Sequence, residues 1–293
     1  MKSIVFILSL LMCSMSLALE PEQIRNIVPS AIQIEAHDNG MFLGGGSGIC
    51  IYAGTQQALN NDFPPKYIYV FSTAAHVLHG GPSKELYAVR VFEYDERCKR
   101  LSEQVLFNDN INAAMEFYYD TKTDAAFLVL HTQHSLPVSP VPMCHESALA
   151  NIAVGDRIML LGSPLLVAPI FSEGYIAQLD ISSVCNNDIL PWMVDLISVN
   201  GDHGDSGGGI FNKDGELIGT LSLGFSRDSH GFALGMVNLR HLYALMRTTV
   251  WHMTFAHLMT EEECVNDNDT EEYPIIEDEP QDIHIGTIIK PLE

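Results

Sequence analysis

Three residues far apart in the chain have the types and surroundings that acyl-transfer chemistry needs: His76, Asp124 and Ser206. Ser206 lies in "GDHGDSGGGIF" (201–211), where five glycines, two aspartates, a histidine and the serine fill nine positions before the chain turns apolar. Such a stretch suits neither helix nor strand, because glycine loses too much backbone entropy there. It is suited to a tight turn, either a purely conformational one, or a cradle for phosphate, or one that presents the serine. A serine hydroxyl is a weak nucleophile at neutral pH. It needs a base, a group that orients the base, and donors for the oxyanion formed on attack. A glycine two places before Ser206 allows the N–H groups of Gly204 and Ser206 to converge, and Gly207 and Gly208 keep side chains away from a bound backbone.

The base and its orienting group are expected at strand ends. "FSTAAHVL" closes an apolar run at His76, with two alanines packed behind it. "TKTDAAFLVL" sets Asp124 at the mouth of another, where a buried carboxylate can accept from an imidazole Nδ1–H. Asp120 and Asp109 are rival carboxylates nearby. The order His, Asp, Ser is one of several that build this geometry. His203 and His79 read as exposed loop residues, His203 with an alternative role in substrate choice. No histidine pair has zinc-ligand spacing with a matching carboxylate, so neither a metal nor another cofactor is expected.

The elements that must hold these side chains are short strands. Segments such as "AIQIEAH", "GICIYAG", "YIYVFST", "LYAVRVFEY", "AAFLVL", "RIMLLG" and "LIGTLSLGF" are rich in branched and aromatic residues and separated by turn signals. Ten or more strands without intervening helices predict an all-β fold closed into barrels. The proline-rich "HTQHSLPVSPVPMCHES" is the expected connector between two halves, about 27–135 and about 150–235, which form either one barrel or a pair. Apolar residues at Leu239, Leu242, Met246, Val250 and Met253 then predict one amphipathic helix over 236–259, packed on the barrels. Residues 261–293 are acidic and aperiodic, and read as disordered.

The 293-residue chain is 47% hydrophobic and 9% aromatic, which is globular composition. Its formal charge of -22, with only 15 Lys and Arg, excludes a nucleic-acid partner. The first 18 residues have the layout of a secretory signal: Lys2, an apolar run from Ile4 to Met15, and small residues before a cut after Ala18. Secretion or a periplasmic location is expected, with an uncleaved membrane anchor as the alternative. A lipid on Cys13 is disfavoured by bulky Met12. Five cysteines remain after such a cut, an odd number without CxxC spacing. Asn268-Asp269-Thr270 matches a glycosylation acceptor.

Taken in order, "GSGI" (46–49), "TAAHV", "TDAAFLVL", "VGDRIMLLGSP" and "GDSGGGIFNKDGELIGTLS" resemble a trypsin-like serine peptidase over residues 25–240, closest in layout to the HtrA/Deg-type secreted peptidases. The resemblance implies two six-stranded antiparallel β-barrels with the site between them. His76 would be base and then acid, Asp124 the orienting carboxylate, Ser206 the nucleophile, and Gly204 with Ser206 the oxyanion hole. It further implies polypeptide substrates. Ser222 would support the aspartate, Leu223 and Gly224 would pair with the substrate backbone, Gly231 would leave the specificity pocket open, and Asn200 would lie near its floor. A neutral, open slot predicts a large uncharged side chain before the cut rather than Arg or Lys.

Three features depart from relatives. Val77 stands where animal trypsins have a cysteine, no PDZ domain is expected after the helix, and Asp205 precedes the serine where HtrA-type chains usually have another residue. In digestive relatives such an aspartate pairs with a new N-terminus, and "QIRNIVPS" faintly resembles a cleavage site; the other reading is a local hydrogen bond. A peptidase is the first expectation, an inactive binding scaffold on the same barrels the alternative, and an esterase a third.

Overall fold

The structure is a computed structural model that describes residues 21–38, 41–56, 66–78, 86–108, 113–185, 188–227, 230–259 and 285–287. The expected signal segment, most of the acidic tail, Asp109 and His79 lie outside the described residues.

A short helix α1 (Pro21–Ile27) leads into β1 (Ala31–Asp38), β2 (Met41–Gln56) and β3 (Lys66–Ala74). One helical turn, α2 (Ala75–Leu78), precedes β4 (Leu86–Tyr94), β5 (Arg100–Phe107), β6 (Ala113–Asp120) and β7 (Ala125–Thr132). The connector carries a second single turn, α3 (Glu146–Leu149). Then come β8 (Arg157–Gly162), β9 (Ile170–Cys185), β10 (Asp188–Ser198), β11 (Gly209–Phe211), β12 (Leu217–Arg227) and β13 (His230–Asn238). The second half is the closed six-stranded barrel expected, in the order β10-β13-β12-β11-β8-β9.

The first half differs in strand count from a six-stranded barrel. Its seven strands are joined by β14 (Ile285–Thr287) in the order β14-β6-β7-β3-β2-β1-β4-β5. These three tail residues, expected to be disordered, pair antiparallel with β6, Ile285 opposite Tyr118 and Thr287 opposite Glu116. A free edge strand offers unpaired N–H and C=O groups, and any extended apolar segment within reach can satisfy them.

Side-chain alternation explains why β7 is buried from Ala125 to Leu130. Ala126, Leu128 and Leu130 point into one cluster with Ile32, Phe71 and Val89. Phe127 and Val129 point the other way, into a cluster that joins both halves through Ile49, Ile158, Ile210 and Met246. A strand covered on both faces reads as a continuous apolar run, as "AAFLVL" does.

The single helix expected over 236–259 is two. β13 runs on to Asn238, whose side chain accepts from Arg240 N at 3.1 Å and caps α4 (Leu239–Arg247). The hydroxyls of Thr248 and Thr249 then donate to the carbonyls of Leu245 and Met246 and close that helix, and α5 (His252–Met259) follows after a turn. Val250, expected on the apolar seam, is 79% exposed in that turn. Leu242 and Met246 are still buried as expected, and Tyr243, outside the expected seam, is buried beside them with its hydroxyl donating to Cys144 O at 2.7 Å.

Candidate active site

β3 ends where α2 begins, so His76 stands at the rim of the first half. Its backbone N–H donates to Asp124 Oδ1 at 2.9 Å, and its Nδ1 lies 2.9 Å from Asp124 Oδ2. Asp124 is buried and holds a left-handed backbone at φ +57, an unusual state for a residue with a side chain that costs about 1–2 kcal/mol. Bonds at both ends hold it there. Ala75 N donates to its carbonyl at 2.9 Å, and Ser222 Oγ donates to its Oδ2 in a short bond. Asp120 instead caps the β6–β7 turn, accepting from Lys122 N and Thr123 Oγ1, and does not touch the imidazole.

Ser206 sits between β2 and β12. Ser47 N donates to Ser206 O at 2.7 Å, while the Ser206 hydroxyl donates to Ser222 O at 3.5 Å. No Ser206–His76 hydrogen bond is present among the described residues. The His76 ring is half-exposed. Gly207 cannot carry a side chain: it has φ +82, and a Cβ there would lie 2.2 Å from Thr73 Oγ1 and 2.3 Å from Ser47 O. Gly204, at φ +98, backs onto Ser163 O. The N–H groups of Gly204 and Ser206 donate to no acceptor among the described residues, whereas those of Gly207 and Gly208 are used by Leu221 O and Asp205 O. Two free donors next to a serine can serve a developing oxyanion.

Ser47, not singled out in the sequence, proves central. Its hydroxyl donates to Gly204 O at 2.8 Å and accepts from Ser163 N at 2.8 Å, tying β2 of the first half to two loops of the second. The only signal was a serine between glycines in "GSGI". The other site positions are less resolved in function. Leu223, Gly224 and Gly231 are placed as backbone, on the β12–β13 ladder, with Leu223 opposite Gly235 and Gly224 opposite Leu234. Asn200 is exposed, its carbonyl accepting from Ser172 Oγ at 2.6 Å. It borders a cavity of about 290 Å³ shared with Leu160, Ile170, Asp202 and Asp205. His203 is exposed, as expected.

Asp205 hydrogen-bonds locally: its Oδ2 accepts from Asp202 N at 2.8 Å. Its buried Oδ1 has no hydrogen-bond partner. Burial raises this carboxyl from 3.8 to about 6, with the Asp202 N–H pulling the other way. In the unfolded chain the group ionises near its ordinary value, while the folded chain keeps the proton until about pH 6. Stability attributable to this group is therefore highest below the unfolded value and falls as pH rises through the folded one, by at most about 3 kcal/mol. Asp205→Asn, which keeps an acceptor for Asp202 N, should flatten the unfolding free energy between about pH 4 and pH 7. It should gain stability only at the upper end. Urea titrations that leave the two slopes identical would refute this.

A two-part β fold with a histidine–carboxylate pair, a serine on a glycine turn and two free backbone donors defines the serine-peptidase class of architecture. The comparisons agree: residues 46–219, more than half of the chain, match the trypsin-like peptidase domain, and the chain belongs to that family. It is 27% identical over 112 residues to the serine endoprotease DegS of Escherichia coli K12 and, equally, to that of strain O157:H7. That match covers 38% of this chain and 30% of the relatives' length. A solved HtrA-type protease with a tripeptide shares the fold at a TM-score of 0.55 and 15% identity, over 79% of this chain and 64% of that one.

Proposed function

We propose that this chain is an exported serine endopeptidase that hydrolyses polypeptides through an acyl-enzyme on Ser206. The observation that carries it is the junction at Asp124, whose carboxylate takes His76 Nδ1 and the Ser222 hydroxyl, while Ser206 hydrogen-bonds the carbonyl of that same Ser222. With a substrate carbonyl in place, the Ser206 hydroxyl leaves the Ser222 carbonyl for His76 Nε2. Its proton passes to the imidazole as Oγ bonds to the carbonyl carbon, and the Gly204 and Ser206 N–H groups take the oxyanion. The C–N bond then breaks, the imidazolium proton goes to the leaving amine, and water repeats the sequence to free Ser206. Asp124 stays ionised and steadies the imidazolium. The acyl half lies along Leu223 and Gly224 as an added strand. Asn200, Ser222 and Gly231 border its pocket, which selects a large uncharged side chain.

The N-terminal 18 residues act as the export signal, and retention of that segment would tether the protein to a membrane. A scaffold that binds proteins without cutting them has one observation in its favour, the Ser206 hydroxyl resting on Ser222 rather than on His76. A fluorophosphonate probe, which reacts only with an activated serine, separates the two. Labelling of the wild-type chain together with cleavage of an unfolded protein is expected, and absence of both would establish the scaffold. In a peptide library, preferred cuts after Arg or Lys would refute the pocket assignment.

A further inference from the structure

β14 lies outside residues 46–219, the stretch that matches the peptidase family, and it pairs with the strand that borders both members of the His76–Asp124 pair. β6 ends at Asp120, opposite Ala125 of β7. Between them runs the turn that Asp120 caps, accepting from Lys122 N at 2.9 Å and Thr123 Oγ1 at 2.8 Å. That turn closes on Asp124, at φ +57. Further back, β6 reaches the other member. α2, the single turn that carries His76, packs against β6. Phe117 of β6 meets Tyr87 with ring centroids 4.8 Å apart, and the Tyr87 hydroxyl donates to Leu78 O, at the last residue of α2.

β14 grips β6 at this same place. Gly286 is opposite Phe117, between the pairs Ile285–Tyr118 and Thr287–Glu116. The polar side chains of β6 here have partners within the sheet. The Tyr118 hydroxyl donates to Glu116 Oε2 at 2.7 Å, and Glu116 Oε1 lies 3.1 Å from His131 Nε2. What β6 offers a strand is its outer row of main-chain N–H and C=O groups. Without β14, β6 would be the outermost strand on that side of the sheet, and a strand paired on one edge twists more freely than one paired on both.

We propose that the outer edge of β6 is a strand-docking site, that the chain's own tail is its ligand, and that docking of Ile285–Thr287 holds α2 and the β6–β7 turn so that His76 and Asp124 stay paired. The effect on rate rests on the peptidase reading; the docking does not. The site is separate from β12, where the substrate is proposed to lie. Covalent attachment presents the tail to this edge at an effective concentration on the order of millimolar, so a ladder of three residue pairs is populated and yet exchangeable.

The test uses the full chain carrying Ile285→Pro and Gly286→Pro, and a synthetic peptide of residues 281–293, "QDIHIGTIIKPLE". Successive N–H groups of a strand point to opposite edges, so one of the two prolines removes a donor that faces β6. Both lie in a terminal three-residue strand, and the unfolding midpoint should barely move. The variant should lose about tenfold in kcat with KM unchanged, and unlabelled peptide at about 5 mM should restore kcat. By fluorescence anisotropy, labelled peptide should bind the variant saturably and wild type far more weakly, because the tethered tail competes. No binding to the variant overturns the docking site. Binding with an unchanged kcat, or a lost kcat that bound peptide does not restore, overturns the hold on the His76–Asp124 pair. A wild-type chain that neither labels with fluorophosphonate nor cleaves sinks the peptidase reading and the effect on rate with it, while the binding arm still decides the docking site.

Discussion

Ser206→Ala should lower peptide hydrolysis by about a millionfold while leaving the fold and its unfolding midpoint nearly unchanged. The large figure follows from what alanine removes. Without Oγ no acyl-enzyme forms, and His76 has no proton to take. What persists is the polarisation of a bound carbonyl by the Gly204 and Ser206 N–H groups, a residual on the order of a thousandfold over water. The small structural effect follows from the hydroxyl's single long bond, 3.5 Å to Ser222 O, so its loss strands no tightly held partner. Turnover of a fluorogenic peptide beside a thermal melt reads both quantities. A loss below about a hundredfold would mean that another group performs the attack.

The positions of His76, Asp124 and Ser206 were legible because each sits where a local pattern changes. Apolar β runs end at His76 and begin at Asp124, and the glycine turn around Ser206 fits no regular element. The clamp made by Ser47 was not legible, since its two partners, Gly204 and Ser163, are more than a hundred positions away and no local propensity encodes them. The break at Thr248–Trp251 escaped for a related reason. Apolar spacing from Leu239 to Met253 satisfies a helical template, but two threonines donating to the carbonyls before them end the first helix. The pairing of Ile285–Thr287 with β6 depends on an edge left open elsewhere in the sheet, which composition cannot report. The left-handed backbone of Leu165 and Leu166 was equally hidden, because leucines carry no turn signal.

These cases share a pattern: side chains acting within their own segment announce themselves, whereas contacts that join the two halves do not. The proposed catalysis needs both kinds. The turn around Ser206 is held from the first half by Ser47, whose carbonyl in turn accepts from Thr73 Oγ1, and the Asp124 carboxylate is held from the second by Ser222. Each half therefore positions the other's contribution, and changes at the seam should act on rate before they act on stability.

Asp124→Asn is the sharpest probe of that seam, and should reduce kcat by about ten-thousandfold with little change in KM. The carboxylate accepts from three donors: the His76 backbone N–H, His76 Nδ1–H and the Ser222 hydroxyl. An amide has one acceptor oxygen. If that oxygen keeps the backbone N–H of His76, the NH₂ faces Nδ1 and becomes the donor. The ring is then held with its proton on Nε2, where it cannot receive the proton of Ser206. The Ser222 hydroxyl can turn to accept, so the junction remains satisfied and the variant should fold. In the proposed binding mode the substrate lies along β12 and does not touch this carboxylate, which is why KM should be spared. Steady-state kinetics near neutral pH would show the split, and a variant retaining more than a tenth of the wild-type kcat would exclude Asp124 as the group that sets the imidazole tautomer.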